Sequence, residues 1–465
     1  MYKGSLTTIE DLSNGQVEDI LDLAQEIDGN RDAFHGLASR HLMASLFLEP
    51  STRTRGSFEA AMKRLGGDTV TVADPKSSSM EKGESLADTI RVWSGYSDLI
   101  VLRHPWEGAA RLAAQYSDVP VINAGDGSHE HPTQTLLDLY TLRKELGTLT
   151  GRKIVLCGDL LNGRTIHSLI YALLRFSADI IYAPGEGLEL PDHVLHKIEA
   201  EYNRPLQRVR HPGLEALYGG DTDESGAEVD AIYMTPSQPH SLTLIDSIQM
   251  EIEIDKEESF AFYVTRKQVE REGTAGDGPG KRYPRMDAKV LKETGFSKAV
   301  IMHPLPRVDE LSPAIDSDPR SKYFEQARNG VPVRMALIAL MLGLKPWKHG
   351  PEGGGQARGE LPVPKTRGIV WLNQNCISRI EPLNATAEFT FFDRPGERFV
   401  CCYCERETFP AFYAYPYGEV YHPIEERPSR PMDPSRGTFF FDEASARASN
   451  FRPSKKMADG VQGNV

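Results

Sequence analysis

Apolar runs of strand length alternate with helix-patterned stretches from residue 43 to residue 303, and no other feature restricts the fold as much. A first series comprises MASLFLE (43–49), DTVTVA (68–73), DLIVLR (98–103) and VPVINA (119–124). A second comprises KIVLCGD (153–159), ADIIYA (178–183), VDAIYMT (229–235), SFAFYVT (259–265) and KAVIMH (298–303). Helical patterns fill 55–65, 84–95, 133–146 and 165–175, and 321–343 reads as closing helices. Strands that alternate with helices build parallel sheets covered on both faces. Two series therefore predict two three-layer α/β/α domains with parallel sheets, and 465 residues suffice to give each its own core.

The texture then changes. Residues 346–367 are rich in Gly, Pro and charge and read as a linker. Residues 368–415 are short alternating segments expected to form a small β-rich unit, and 416–465 read as a poorly ordered tail. Cys157 stands alone in an apolar run and reads as a buried small hydrophobe. Cys376, Cys401, Cys402 and Cys404 share one short window, and a chain starting MYKGSLTTIEDLSNG shows no export signal. In that setting clustered thiols favour a metal site over disulfides, and the expected location is cytoplasmic. A net charge of −13 disfavours nucleic acid as a partner, and the longest apolar run, MALIALMLGL (335–344), is too short to span a membrane.

The unusual polar clusters fall just past the C-terminal ends of the expected strands. They are Ser51 to Arg55, Arg103–His104, GDGSHEHPTQ (125–134), GDLLNGRT (158–165) and HPLPR (303–307). Ligands of open parallel sheets bind beyond the carboxyl ends of the strands, so these loops predict one site between two domains. The 51–55 segment opens a helix. Its unpaired backbone N–H groups join hydroxyls and guanidiniums in a cradle suited to a tetrahedral dianion such as phosphate. A capped, solvated basic turn would explain one hydroxyl but not the set. His131 by itself reads equally well as a helix-entry residue, the HPLP loop as a rigid turn and Lys82 as a solvated charge.

Taken together, FLEPSTRTRGSFEAAMKRLGG, KGESLADTI, RHPWEGAARLA, NAGDGSHEHPTQTLLDLYTL, GDLLNGRTIHSL and HPLPRVDE resemble the catalytic chains of the aspartate carbamoyltransferase family over roughly residues 5–345. The resemblance implies transfer of the carbamoyl group of carbamoyl phosphate to L-aspartate, in pyrimidine synthesis, with no catalytic cofactor. It implies that Ser51, Thr52, Arg53 and Thr54 hold the phosphate. Arg103, His131 and Gln134 surround the carbonyl, and the backbone of Leu305 and Pro306 receives the carbamoyl NH2. Arg164, Arg266 and Gln268 match the aspartate-binding residues. Ser78 and Lys82 match a loop given by a neighbouring subunit, which implies a homotrimer with shared active sites. The carbamoyl-phosphate domain would comprise 1–134 with 330–345, and the aspartate domain 135–329. The ornithine-specific relatives are the nearest rival reading, but their loop carries a cysteine where Pro304 stands, and their substrate's ammonium calls for acidic contacts. A catalytically silent scaffold is disfavoured by the intact site residues.

Two departures from the family pattern stand out. An acidic stretch at about 235–264 interrupts the aspartate domain, so that both IYMT (232–235) and FYVT (262–265) resemble one family strand. In addition, NQNCISRIEP and CCYCERE resemble the zinc domain of the family's separate regulatory chain. Cys376, Cys401 and Cys404 match three of its four zinc ligands, and Trp371 stands at the fourth. Two readings follow: a structural zinc on three thiolates, or a metal-free site with Trp371 filling the space. No counterpart of the regulatory chain's nucleotide-binding half is present, so weak or absent control by free nucleotides is expected.

Overall fold

The computed structural model describes residues 4–73, 79–184, 189–202, 207–208, 231–234, 260–264, 288, 299–307, 311–349, 365–367, 371, 373–392, 398–415, 418–424, 438–448, 450–454 and 457. The first sheet consists of β1 (Leu42–Phe47), β2 (Asp68–Val72), β3 (Leu99–His104) and β4 (Val121–Asp126). All its pairings are parallel, in the order β2-β1-β3-β4. Around it lie α1 (Asn14–Gly29), α2 (Thr52–Arg64), α3 (Leu86–Ser94) and α4 (Ala109–Tyr116).

Strand periodicity divides the side chains between two cores. Met43 and Phe47 of β1, with Leu99 and Val101 of β3, join one buried cluster. Ala44, Leu46, Ile100 and Leu102 join another, with Leu86 and Ile90 of α3 and Leu112 of α4.

The second sheet comprises β5 (Lys153–Gly158), β6 (Asp179–Pro184), β7 (Gln207–Arg208), β8 (Ala231–Met234), β9 (Phe260–Val264) and β10 (Ala299–Met302). Its pairings are also parallel, in the order β10-β9-β8-β5-β6-β7. Both strand-like copies flanking the acidic stretch are thus accommodated, side by side, as β8 and β9. Helices α6 (Arg164–Arg175) and α7 (Asp192–Tyr202) belong to this half, and α5 (Pro132–Leu146) joins the two, packing on β4 and α1 as well as on α6. The long α8 (Tyr323–Met341) returns to the first half, and its buried residues share a core with α1, α5 and α6.

The C-terminal region holds two small sheets. Antiparallel strands β11 (Lys365–Arg367), β12 (Glu388–Phe392), β13 (Arg398–Cys401) and β14 (Glu407–Thr408) accompany α9 (Ile377–Ile380). Trp371, Ile377, Phe389, Phe399 and Tyr403 enter the same buried cluster as α3 and α4, so this module is packed onto the first domain.

The tail expected to be poorly ordered is a correction. β15 (Phe412–Ala414), β16 (Val420–Pro423), β17 (Thr438–Phe440) and β18 (Arg452–Pro453) form a fourth sheet, joined by α10 (Glu443–Ala448). The physical reason is a private core of Ala414, Tyr421, Phe440 and Ala446, while Tyr413 and Phe439 anchor the sheet into the larger cluster. Among the described residues no helix is long and apolar enough to cross a membrane.

Candidate active site

The carboxyl ends of β1, β3, β4 and β10 and the N-termini of α2, α5 and α6 converge on one cleft of about 460 Å³. Ser51, Thr52, Arg53 and Thr54 line it from α2; Arg103 comes from β3, His131 and Gln134 from α5 and its N-cap. Arg164 enters from α6, and Leu305 and Pro306 from the loop after β10. Ser51 is the N-cap of α2, yet its hydroxyl makes no capping bond. Backbone N–H groups and hydroxyls at this helix start therefore face the cleft together, which suits an anion. Arg53 crosses the cleft and donates from Nη2 to the Leu305 carbonyl at 2.7 Å. Arg55 instead pairs with Glu59 at 3.7 Å along the helix, away from this set.

Two buried guanidiniums share one carboxylate. Glu49 Oε2 lies 3.2 Å from Arg103 Nη2 and 3.1 Å from Arg164 Nη1. Arg103 also donates to the Ala124 carbonyl at 3.3 Å, and Arg164 to that of Gly127 at 2.8 Å. Gly125 makes room for both: its φ is +114°, and a Cβ there would lie 3.1 Å from Arg103 Nη1 and 3.2 Å from Arg164 Cζ.

His131 is fixed by its backbone N–H, which donates to Ser168 Oγ at 3.0 Å, and its Nδ1 lies 3.4 Å from Thr133 Oγ1. A buried relay supports the loop after β10. Gln134 Nε2 and Gln326 Nε2 both donate to Asp138 Oδ1, at 2.9 and 2.8 Å. Gln326 Oε1 in turn accepts the His303 N–H at 2.8 Å, and His303 Nδ1 accepts the Leu305 N–H at 2.8 Å. Arg334 completes this wall, stacked 5.0 Å from the Phe58 ring, and burial lowers its pKa to about 10.

The residues expected from sequence separate into three groups. Ser51, Thr52, Arg53, Thr54, Arg103, His131, Gln134, Arg164, Leu305 and Pro306 are brought together in the cleft. Lys82 is exposed at the end of a short 3-10 helix and does not line it. Ser78, Arg266 and Gln268, and the side chain of Cys157, lie outside the described residues, as does most of the 235–264 stretch. Sequence reasoning missed Glu49, Arg334 and the Asp138–Gln326 relay. Glu49 had a signal, since a lone acid directly before a basic cluster at a strand end has cations within reach.

The cysteines make a second constellation. Sulfur atoms of Cys376, Cys401 and Cys404 lie within 4.8 Å of one another and all three residues are buried. Cys376 Sγ is 3.8 Å from Cys401 Sγ, and Asn373 Nδ2 donates to Cys404 Sγ at 3.4 Å. The Cys376 thiol is lowered to about 3 by its sulfur neighbours Cys401 and Cys404, so the trio favours at least one thiolate. Trp371 is buried edge-on to Phe389, and its Nε1 has no hydrogen-bond partner among the described residues; indole supplies no metal ligand. Three of the residues thus fit a thiophilic metal and the fourth does not.

Comparison with known proteins agrees with the cleft. The carbamoyl-P binding domain of the aspartate/ornithine carbamoyltransferases matches residues 5–144, and their Asp/Orn binding domain matches 281–341. The aspartate carbamoyltransferase catalytic subunit of Thermoplasma volcanium is 43% identical over 350 residues, which is 73% of this chain and 98% of the relative. That of Methanopyrus kandleri is 43% identical over 341 residues, covering 72% and 96%. Among solved structures, the catalytic subunit of M. jannaschii aspartate transcarbamoylase shares 40% identity over 74% of this chain and 98% of its own, with a TM-score of 0.55. Aspartate transcarbamoylase from Trypanosoma cruzi in complex with N-(phosphonacetyl)-L-aspartic acid shares 35% identity over 72% and 94%, with a TM-score of 0.56. With nearly the whole length of such relatives matched, and both halves of the cleft accounted for, the chain belongs to the aspartate carbamoyltransferase family.

Proposed function

We propose that this cleft transfers the carbamoyl group of carbamoyl phosphate to the amino group of L-aspartate, giving N-carbamoyl-L-aspartate and phosphate, a step of pyrimidine synthesis. The observation that carries the reading is the convergence of the uncapped α2 start, Arg53, Arg103, His131 and Arg164 on one cleft. The phosphate sits on Ser51, Thr52, Arg53 and Thr54. The carbonyl oxygen faces Arg103, His131 and the Thr54 hydroxyl, and Gln134 completes the surround. Carbonyl acceptors at Leu305 and Pro306 take the carbamoyl N–H groups and fix the plane of attack. The neutral amine of aspartate adds to the carbonyl carbon, and the negative charge that develops on oxygen meets donors already in place. The C–O bond to phosphate then breaks, its electron pair leaving with a phosphate already paired at α2, and the proton shed by the attacking nitrogen leaves on that phosphate. Holding two small substrates in one cleft supplies much of the remaining rate.

Arg164, Arg266 and Gln268 take the aspartate carboxylates, since planar guanidinium forks match them. Lys82 and Ser78 serve the cleft of a neighbouring subunit in a trimer; the exposure of Lys82 outside its own cleft supports this. The C-terminal module is the counterpart of a regulatory-chain zinc domain joined to the catalytic chain. Cys376, Cys401 and Cys404 would hold a structural zinc, which would tie α9 to β13. Purified protein offered carbamoyl phosphate with either aspartate or ornithine tests the reading. Turnover with aspartate is expected; turnover with ornithine alone overturns it.

A further inference from the structure

A second group of potential ligands lies apart from the cleft and from the cysteines. One ligand atom each from His129, Glu130 and Glu405 falls within 4.8 Å of the other two. We propose that these three residues form a binding site for a first-row divalent metal ion at the joint between the first domain and the C-terminal module.

Two observations carry the assignment. First, His129 Nε2 and Glu130 Oε1 are buried with no hydrogen-bond partner among the described residues. The His129 side chain is only 7% exposed and Glu130 2%, so neither atom has water as a ready substitute. Second, every candidate ligand is already held from behind. His129 Nδ1 lies 3.1 Å from Asp126 Oδ2, which fixes the ring and leaves Nε2 as the nitrogen for a ligand. Glu130 Oε2 accepts the Ile9 N–H at 2.9 Å and the Ser168 hydroxyl at 3.3 Å, leaving Oε1 for a ligand. Glu405 is oriented by Arg111 at 2.7 Å and Lys197 at 2.6 Å. Histidine ligands backed by a carboxylate, and carboxylate ligands that are themselves hydrogen-bonded, are the usual outer arrangement of protein metal sites.

An imidazole with two carboxylates suits Mn²⁺, Fe²⁺, Co²⁺ or Zn²⁺ and disfavours the thiophilic choice that the cysteine trio would make. Because Glu405 follows Cys404, the ion would clamp the cysteine-bearing turn to the loop that carries His131.

The test uses the full chain, freed of metal and kept reduced, with Mn²⁺ as the probe because thiolates compete poorly for it. One equivalent is expected to bind, with electron spin-echo modulation from a single imidazole nitrogen and a rise in melting temperature. His129→Asn and, separately, Glu130→Gln should each weaken Mn²⁺ binding at least about tenfold, and His129→Asn alone should abolish that nitrogen signal. Either result in a variant with native circular dichroism supports the site. Absence of bound Mn²⁺ in the wild-type chain overturns the proposal, as does binding without a nitrogen signal, or binding that both substitutions leave unchanged.

Discussion

Arg53 is exposed and its guanidinium reaches across the cleft to the Leu305 carbonyl, so its loss removes a ligand contact without opening the core. Arg53→Ala is expected to lower kcat by roughly 10²- to 10³-fold, the usual cost of one donor to a developing charge. The melting temperature should stay within a degree or so of wild type, since surface changes of this kind shift stability little. Full turnover in the variant would contradict the phosphate assignment. Glu49 acts differently, because it touches no expected ligand atom of its own and instead holds Arg103 and Arg164 together. Glu49→Gln keeps the shape and removes the charge. Two nearly buried like charges are then left with mainly carbonyl partners, at a cost of about 2 kcal/mol. That corresponds to roughly a 30-fold fall in kcat/KM, since 1.36 kcal/mol is tenfold. Steady-state kinetics with both substrates varied would measure it, and an unchanged kcat/KM would show that Glu49 does not set the guanidinium positions.

The turn from β3 to α4 is the element that fixes the module. Glu107, 1% exposed, accepts Arg406 through both carboxylate oxygens at 2.7 and 2.8 Å, and Asn373 Nδ2 at 2.8 Å. Its backbone N–H donates to Asn375 and its carbonyl accepts from Ile377, both at 2.9 Å, like one rung of a sheet. Glu107 is buried but the Arg406 side chain is 39% exposed, so loss of these charged hydrogen bonds costs about 1.5–3 kcal/mol. Glu107→Gln should therefore unfold at measurably lower urea concentration than wild type, with the module's tryptophan, Trp371, reporting the loss by fluorescence.

The same turn carries a pH response. His104 Nδ1 accepts the Trp106 N–H at 3.1 Å, and burial lowers the pKa of His104 to about 4 against an ordinary 6.5. The unfolded chain then binds more protons than the folded one between those values. This residue's contribution is complete above pH 6.5 and is lost as pH falls toward 4, by up to about 3 kcal/mol. His104→Asn keeps an acceptor without the titration, so its stability should fall less than wild type between pH 7 and 4.5. Equal losses in the two proteins would refute the assignment.

Elements of this kind explain what was legible in the sequence. Buried parallel strands are near-continuous apolar runs, and β1, β3, β4 and β5 can be read from composition alone. The loops beyond them announce themselves by charge. The Glu107–Arg406 pair joins residues 299 apart in sequence and has no local signature. The fourth sheet was missed because its strands are two to four residues long and set among prolines and charges, which reads as disorder until Tyr421 and Phe440 meet.

At the scale of the whole molecule, the C-terminal module completes a core rather than hanging from a linker. Trp371, Phe389, Phe399 and Tyr403 lie in one cluster with Leu86, Ile90, Leu102 and Leu112. Polar ties reinforce it: Leu86 N–H to Glu381 at 2.5 Å, Tyr116 hydroxyl to the Asn384 carbonyl at 2.9 Å, and Arg111 to the Cys402 carbonyl at 2.5 Å. The module also reaches the other domain, where Lys197 and His196 of α7 pair with Glu405 and Glu407 at 2.6 and 2.7 Å. It therefore touches both halves that border the cleft, and its removal should be felt in both. A chain ending after His349 would uncover the outer faces of α3 and α4. Each leucine or isoleucine returned to water there costs about 1.5–3 kcal/mol, and the uncovered patch favours self-association. Such a chain is expected to melt well below the full protein and to elute as larger species in size-exclusion chromatography with light scattering. A truncated chain with unchanged melting temperature, unchanged size and unchanged activity would show that the module is an independent appendage, and would remove the grounds for coupling it to the cleft through Glu405.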